Sequence, residues 1–94
     1  MKREEVIALI NHEIDRAERK FPTFPKDPLH ASGVVSEEAG ELAQAAVQWT
    51  YEGGSRDQCQ IEAIQTAAMA IRFLVALDAM EPAPCDQVST TRIG

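Results

Sequence analysis

Between Ala63 and Leu77 the chain carries only three clearly polar residues, Gln65, Thr66 and Arg72. Alanine, leucine and methionine dominate the rest and favour a helix. A helix apolar nearly all round must be buried nearly all round. At 94 residues the chain makes one small domain, which buries only a modest share of its own surface. Two further helices can hardly cover the third. A partner surface is therefore expected, and a homo-oligomeric helical bundle is the economical solution.

The other elements follow from periodicity and stop signals. Residues 4–20 place Val6, Ile7, Leu9, Ile10, Ile14 and Ala17 at helical spacing, which predicts an amphipathic first helix. "FPTFPKDP", residues 21–28, holds three prolines and predicts a loop. Asp27 before Pro28 reads as an N-cap with proline at the first helical position. A second helix is expected over about 28–52, with an irregular start near "ASG", ending at Gly53-Gly54. "SRDQ", residues 55–58, fits a capping box opening a third helix over about 56–80. The expected fold is all-α: an antiparallel bundle of three main helices in one domain, 1–80, with residues 81–94 as an extended C-terminal tail.

Charge and composition exclude several functions. Aromatic residues make up 5% of the chain, and 15 acidic residues against 9 basic give a net charge of −6. No basic patch exceeds Arg16, Arg19 and Lys20, so no nucleic-acid polymer is expected as partner. Cys59 and Cys85 have no metal-binding or redox spacing and read as reduced thiols. The N-terminus turns acidic at once, unlike a signal peptide. The most apolar run, "TAAMAIRFLVALDAM", is short for a bilayer and contains Arg72 and Asp78. A cytoplasmic protein without a membrane segment is expected.

"SEEAGEL", residues 36–42, sets three glutamates within five positions. Glu37 and Glu41 are four apart, Glu38 and Glu41 three apart, so both pairs share a helix face. Taken alone, the cluster reads as a solvated acidic face. The third helix adds a polar stripe of Gln58, Glu62, Gln65 and Arg72. That stripe reads either as a buried hydrogen-bond network or as the second half of a site. With the second and third helices antiparallel, Glu38 and Glu41 face Glu62 and Gln65. Such a density of carboxylates calls for a hard cation, and Mg²⁺ takes oxygen ligands of this kind.

"EEAGEL" (37–42) followed by "EAIQ" (62–65) resembles the two-helix signature of the MazG-like, all-α nucleotide pyrophosphohydrolases. That signature is E-x-x-E, a gap, then E-x-x-D. Glu38 and Glu41 supply the first half, residues 42–61 the gap, and Glu62 opens the second. The likeness covers about residues 26–75, and the departure is Gln65, where the family has aspartate. An amide ligates Mg²⁺ through its carbonyl oxygen but adds no charge, so the departure bears on catalysis more than on fold. The resemblance implies Mg²⁺-dependent (Mn²⁺ as a substitute) cleavage of nucleoside triphosphates, non-standard or deoxy ones among them, to a monophosphate and pyrophosphate. By the same resemblance Glu38, Glu41, Glu62 and Gln65 are metal ligands, Glu38 or Glu41 is the base, and Glu37 orients a ligand.

Arg72 and Lys26 are the candidate phosphate contacts; Arg72 reads equally as half of a structural ion pair. His30 reads as a satisfied surface or core group, with a polar place near the site as the alternative; Phe21, Phe24 and Trp49 read as bundle packing, with stacking on a base as the alternative. Gln44 and Gln48 continue the Glu37/Glu41 line toward a base edge. Gly40, a helix-interior glycine, fits either a close helix approach or chance. The expected assembly is a homodimer or homotetramer. The alternative is a catalytically impaired relative that binds nucleotide, or a helical oligomerisation module.

Overall fold

A computed structural model describes residues 1–82. Three helices, α1 (Arg3–Lys20), α2 (Pro28–Tyr51) and α3 (Arg56–Ala76), are followed by one 3₁₀ turn, Leu77–Ala79. The described residues contain no strand. Beyond Pro82, the expected tail and Cys85 lie outside the described residues.

Local chemistry sets each boundary. The Lys2 backbone N–H donates to Glu5 Oε1 at 3.1 Å and opens α1. The Phe21 N–H closes it on the Ala17 carbonyl at 2.7 Å, and Pro22 has no N–H with which to continue. Asp27 caps α2 by accepting from the His30 N–H at 3.0 Å, with Pro28 at the first helical position. Gly53 ends α2 at φ 73°, and the Gly54 N–H donates back to the Gln48 carbonyl at 2.8 Å. A Cβ on Gly54 would sit 2.9 Å from the Gln48 backbone carbon, so only glycine fits this turn. Ser55 accepts from the Gln58 N–H at 3.0 Å and opens α3.

Three expectations need correcting. α2 runs unbroken through Ala31, Ser32 and Gly33, because nothing there removes a backbone donor. α3 stops as an α-helix at Ala76 and tightens into the 3₁₀ turn, which the Met80 N–H closes on the Leu77 carbonyl at 3.1 Å. Gly40 has room to spare: a Cβ there would meet nothing within 4 Å, so no close helix approach requires it.

α3 is the middle helix. It packs against both α2 and α1, whose backbones hardly approach one another. The core lies where all three meet: Ala17, Ala68 and Met69, flanked by Ile10, Ile14, Phe24, Val34 and Val35. Among the described residues no large side chain is fully buried, and α3 leaves Leu74 64% and Val75 79% exposed. Arg72, only 8% exposed, donates to the Phe21 carbonyl at 2.7 Å and lies over the Phe24 ring. It pins the 21–27 loop to α3, and the Glu81 N–H fastens the same loop at the Lys26 carbonyl, 3.0 Å away. Together Arg56–Ala79 form a helical segment of 24 residues with mean hydropathy 1.3, long and apolar enough to cross a membrane by length and composition. It is longer than the run that set the membrane expectation.

Candidate metal centre

α2 and α3 pack side by side and bring together Glu38, Glu41 and Glu62, each with one carboxylate oxygen within 4.8 Å of the others. The i, i+3 spacing of Glu38 and Glu41 puts both on the flank of α2 nearest α3. Glu62 is only 9% exposed, Glu38 is half-buried and Glu41 is exposed. The cluster thus grades from protein interior to solvent.

Two oxygens stand out. Glu38 Oε2 and Glu62 Oε2 are buried and have no hydrogen-bond partner. Glu62 Oε1 is held by the Gln58 amide at 3.0 Å, and its backbone carbonyl accepts from Thr66 Oγ1 at 2.8 Å. Gln58 therefore forms half of its capping box; its side chain turns to Glu62 instead of back to Ser55. An unpaired buried carboxylate oxygen is costly, and buried polar groups are rarely left without a partner. The two oxygens are thus free to take a cation or a water. Among the described residues no salt bridge reaches Glu38, Glu41 or Glu62; the ion pairs are Arg16–Glu13 and Arg56–Asp57.

The electrostatics agree. The Glu38 carboxyl is pushed above its ordinary range, first by burial, then by the negative charges of Glu41, Glu62, Glu37 and Glu13. Glu41 is raised chiefly because its carboxyl lies within proton-sharing reach of Glu62, with smaller contributions from burial and the Glu62 charge. The donor set is carboxylate oxygen throughout, which suits Mg²⁺ or Mn²⁺ and not a soft metal.

A cleft of about 300 Å³ opens beside the cluster, lined by Glu41, Gln44, Ala45, Gln48, Gln58 and Glu62. Gln44 and Gln48 thus stand at the carboxylates, as their place on the Glu41 line implies. Gln65 lines a different groove, with Leu9, His12 and Glu13 of α1. Three residues beyond Glu62, it is rotated about 60° around the helix axis, toward α1. Arg72 is ten residues beyond Glu62, about 15 Å along the axis, and engaged by Phe21. Lys26 is exposed in the loop fastened to Glu81 at the same far end. Neither cation is brought to the carboxylates. Glu37 and His30 are exposed. Phe24 packs in the core, Phe21 is exposed under Lys20, and Trp49 lines an apolar groove with Leu42 and Ala63.

Glu13 is the acidic neighbour that reading the residues in order missed. It is gripped by Arg16 at 2.6 and 2.9 Å; its charge raises Glu38, and the Glu38 charge raises Arg16. Its only signal in the sequence is a carboxylate between Ile10 and Ile14 on the inward side of α1. In comparisons with known proteins, no family model matches this chain, no curated protein matches it, and no solved structure matches it.

Proposed function

We propose that this chain is a Mg²⁺-dependent hydrolase of nucleoside triphosphates, releasing a monophosphate and pyrophosphate, and that it works as a homodimer or homotetramer. The reading rests on one observation above the others: three converging carboxylates with two buried oxygens that lack any partner. The resemblance of "EEAGEL" and "EAIQ" to the MazG-like pyrophosphohydrolases selects the substrate class.

Glu38, Glu41 and Glu62 would hold the ion. When bound, Mg²⁺ (Mn²⁺ in its place) supplies charge neutralisation for phosphate oxygens and acidifies a water. The protein's own part is division of labour among carboxylates. Glu62 is fixed by Gln58, so its second oxygen stays aimed into the cluster. Glu38, half-buried beside Glu41 and Glu62, is the group placed to accept a proton from water. Glu41, at the solvent side, meets the incoming ligand first. Gln44 and Gln48 line the cleft next to Glu41, where amide donors and acceptors can orient the organic part of the substrate.

The test is pyrophosphate release from a panel of standard and non-standard nucleoside triphosphates with Mg²⁺ or Mn²⁺. Glu38→Ala is the control. Equal release by the wild type and the control would sink the enzyme reading.

A second reading is a non-catalytic relative that binds nucleotide or serves as an oligomerisation module. The observation in its favour is Gln65, which adds no fourth carboxylate and faces the α1 groove. Under this reading a nonhydrolysable triphosphate with Mg²⁺ raises the melting temperature of a protein that releases no pyrophosphate. A pure oligomerisation module shows no such rise.

A further inference from the structure

The Glu62 carboxylate has one held oxygen and one free oxygen, and the group that holds it sits four residues back on the same helix. Gln58 Nε2 donates to Glu62 Oε1 at 3.0 Å, while Glu62 Oε2 is buried without a partner. Side chains on a helix lean toward its N-terminus, so the Glu62 carboxylate lies over the turn that carries Gln58. Gln58 is itself anchored at the cap of α3, where its backbone N–H donates to Ser55 Oγ at 3.0 Å. Its side chain lines the cleft beside Glu41 and Glu62. Among the described residues no donor reaches its carbonyl oxygen.

We propose, resting on the cation reading of this cluster, that Gln58 is the positioning residue of the site and fills the place beside Glu62 that the family resemblance gives to Gln65. Two properties select it. A carboxylate free to turn offers an ion either oxygen in many orientations. Tied at Oε1, the Glu62 carboxylate offers Oε2 alone, and in one direction. The tie also offsets part of the cost of keeping a carboxylate buried. The second property is that an amide has two ends. With the nitrogen engaged, the carbonyl oxygen is left as an acceptor at the cleft, and Mg²⁺ keeps waters whose hydrogens need acceptors. Arginine or lysine in this place could hold Glu62, yet would offer no acceptor and would set positive charge against the ion. Gln65 meets neither condition. It lines the α1 groove with His12 and Glu13, and among the described residues no hydrogen bond ties it to the carboxylates.

The full chain is titrated with Mn²⁺ and with Mg²⁺ in a calorimeter, and circular dichroism follows the helices of each variant. Gln58→Leu keeps the cap, since Ser55 accepts from the backbone N–H and not from the side chain. It should bind both ions about 10- to 100-fold more weakly than the wild type, the loss expected for an outer partner of a metal ligand. Gln65→Leu should bind them as the wild type does. The exchange Gln58→Glu with Glu62→Gln keeps one carboxylate, one amide and the means for a hydrogen bond between them, displaced by one turn. It should stay at least about tenfold weaker than the wild type, because only position 62 aims an oxygen into the cluster. Wild-type affinity in Gln58→Leu overturns the inference and leaves the cation reading standing. Wild-type affinity in the exchange overturns it too, since net charge would then suffice. A wild type without saturable binding overturns both the inference and the cation reading.

Discussion

One helix pair carries two surfaces that obey opposite rules. On the cleft side, Glu38, Glu41 and Glu62 converge and leave two buried oxygens without partners, an arrangement that costs stability in the isolated chain. On the other side, alanine and leucine meet water, an arrangement that forgoes stability the chain does not recover by itself. Each surface is incomplete. In the proposed reading a cation would complete the first and apolar contact the second. A small domain with a core of Ala17, Ala68 and Met69 has little stability to spare.

The sharpest way to break the contrast is chemical. Glu38→Ala should lower pyrophosphate release about 10²- to 10⁴-fold, the range expected for loss of a positioned proton acceptor. Leu74→Lys should change the assembly and leave Mn²⁺ binding by the folded protein intact. A variant of Leu74 that loses the cation would show that the two sides are not independent.

Arg72 separates structure from substrate binding. Arg72→Leu removes the charge-assisted hydrogen bond that ties the Phe21 carbonyl to α3 and should cost about 1–3 kcal/mol in denaturant unfolding. Cation affinity should not move, since Arg72 lies at the far end of α3. A lost cation with unchanged stability would reinstate Arg72 at the site.

Glu62→Gln works in the opposite direction. In chelator it removes an uncompensated buried charge while keeping the hydrogen bond from Gln58 available. It should stabilise the metal-free protein by about 0.5–2 kcal/mol. Destabilisation in chelator would mean that the cluster is already satisfied without an ion.

The smallest effect is on pH dependence. Glu38 and Glu41 titrate above the ordinary 4.5 in the folded chain, so between 4.5 and their folded values the folded state holds more protons than the unfolded one. The stability of the metal-free protein should therefore be greatest at or below 4.5 as far as these groups contribute. It should fall as pH rises through the window above 4.5. Thermal melts in chelator across mildly acidic to neutral pH check the sign, and saturating Mg²⁺ should flatten the slope.

Much of this molecule is written locally. Asp27-Pro28, Gly53-Gly54 and Ser55 mark helix ends because each cap depends on residues within one turn. The meeting of Glu38 and Glu41 with Glu62 follows from spacing plus antiparallel packing. What spacing does not encode is the rotation of α3 against its neighbours. Gln65 looks like a fourth ligand on paper, yet its place on the helix carries it to α1. Arg72 looks like a cation for phosphate or glutamate, yet its partner is a backbone carbonyl 51 positions away. Glu13 enters the field of Glu38 only through the docking of α1. These are long-range choices, and no local pattern distinguishes them.

The central claim is that Glu38, Glu41 and Glu62 form a divalent-cation site. Electron paramagnetic resonance of free Mn²⁺, titrated with the full chain, tests it most directly. Saturable binding that weakens at least about tenfold in Glu62→Gln, with helicity unchanged, is the predicted result. Equal depletion of free Mn²⁺ by the wild type and by Glu62→Gln would contradict it.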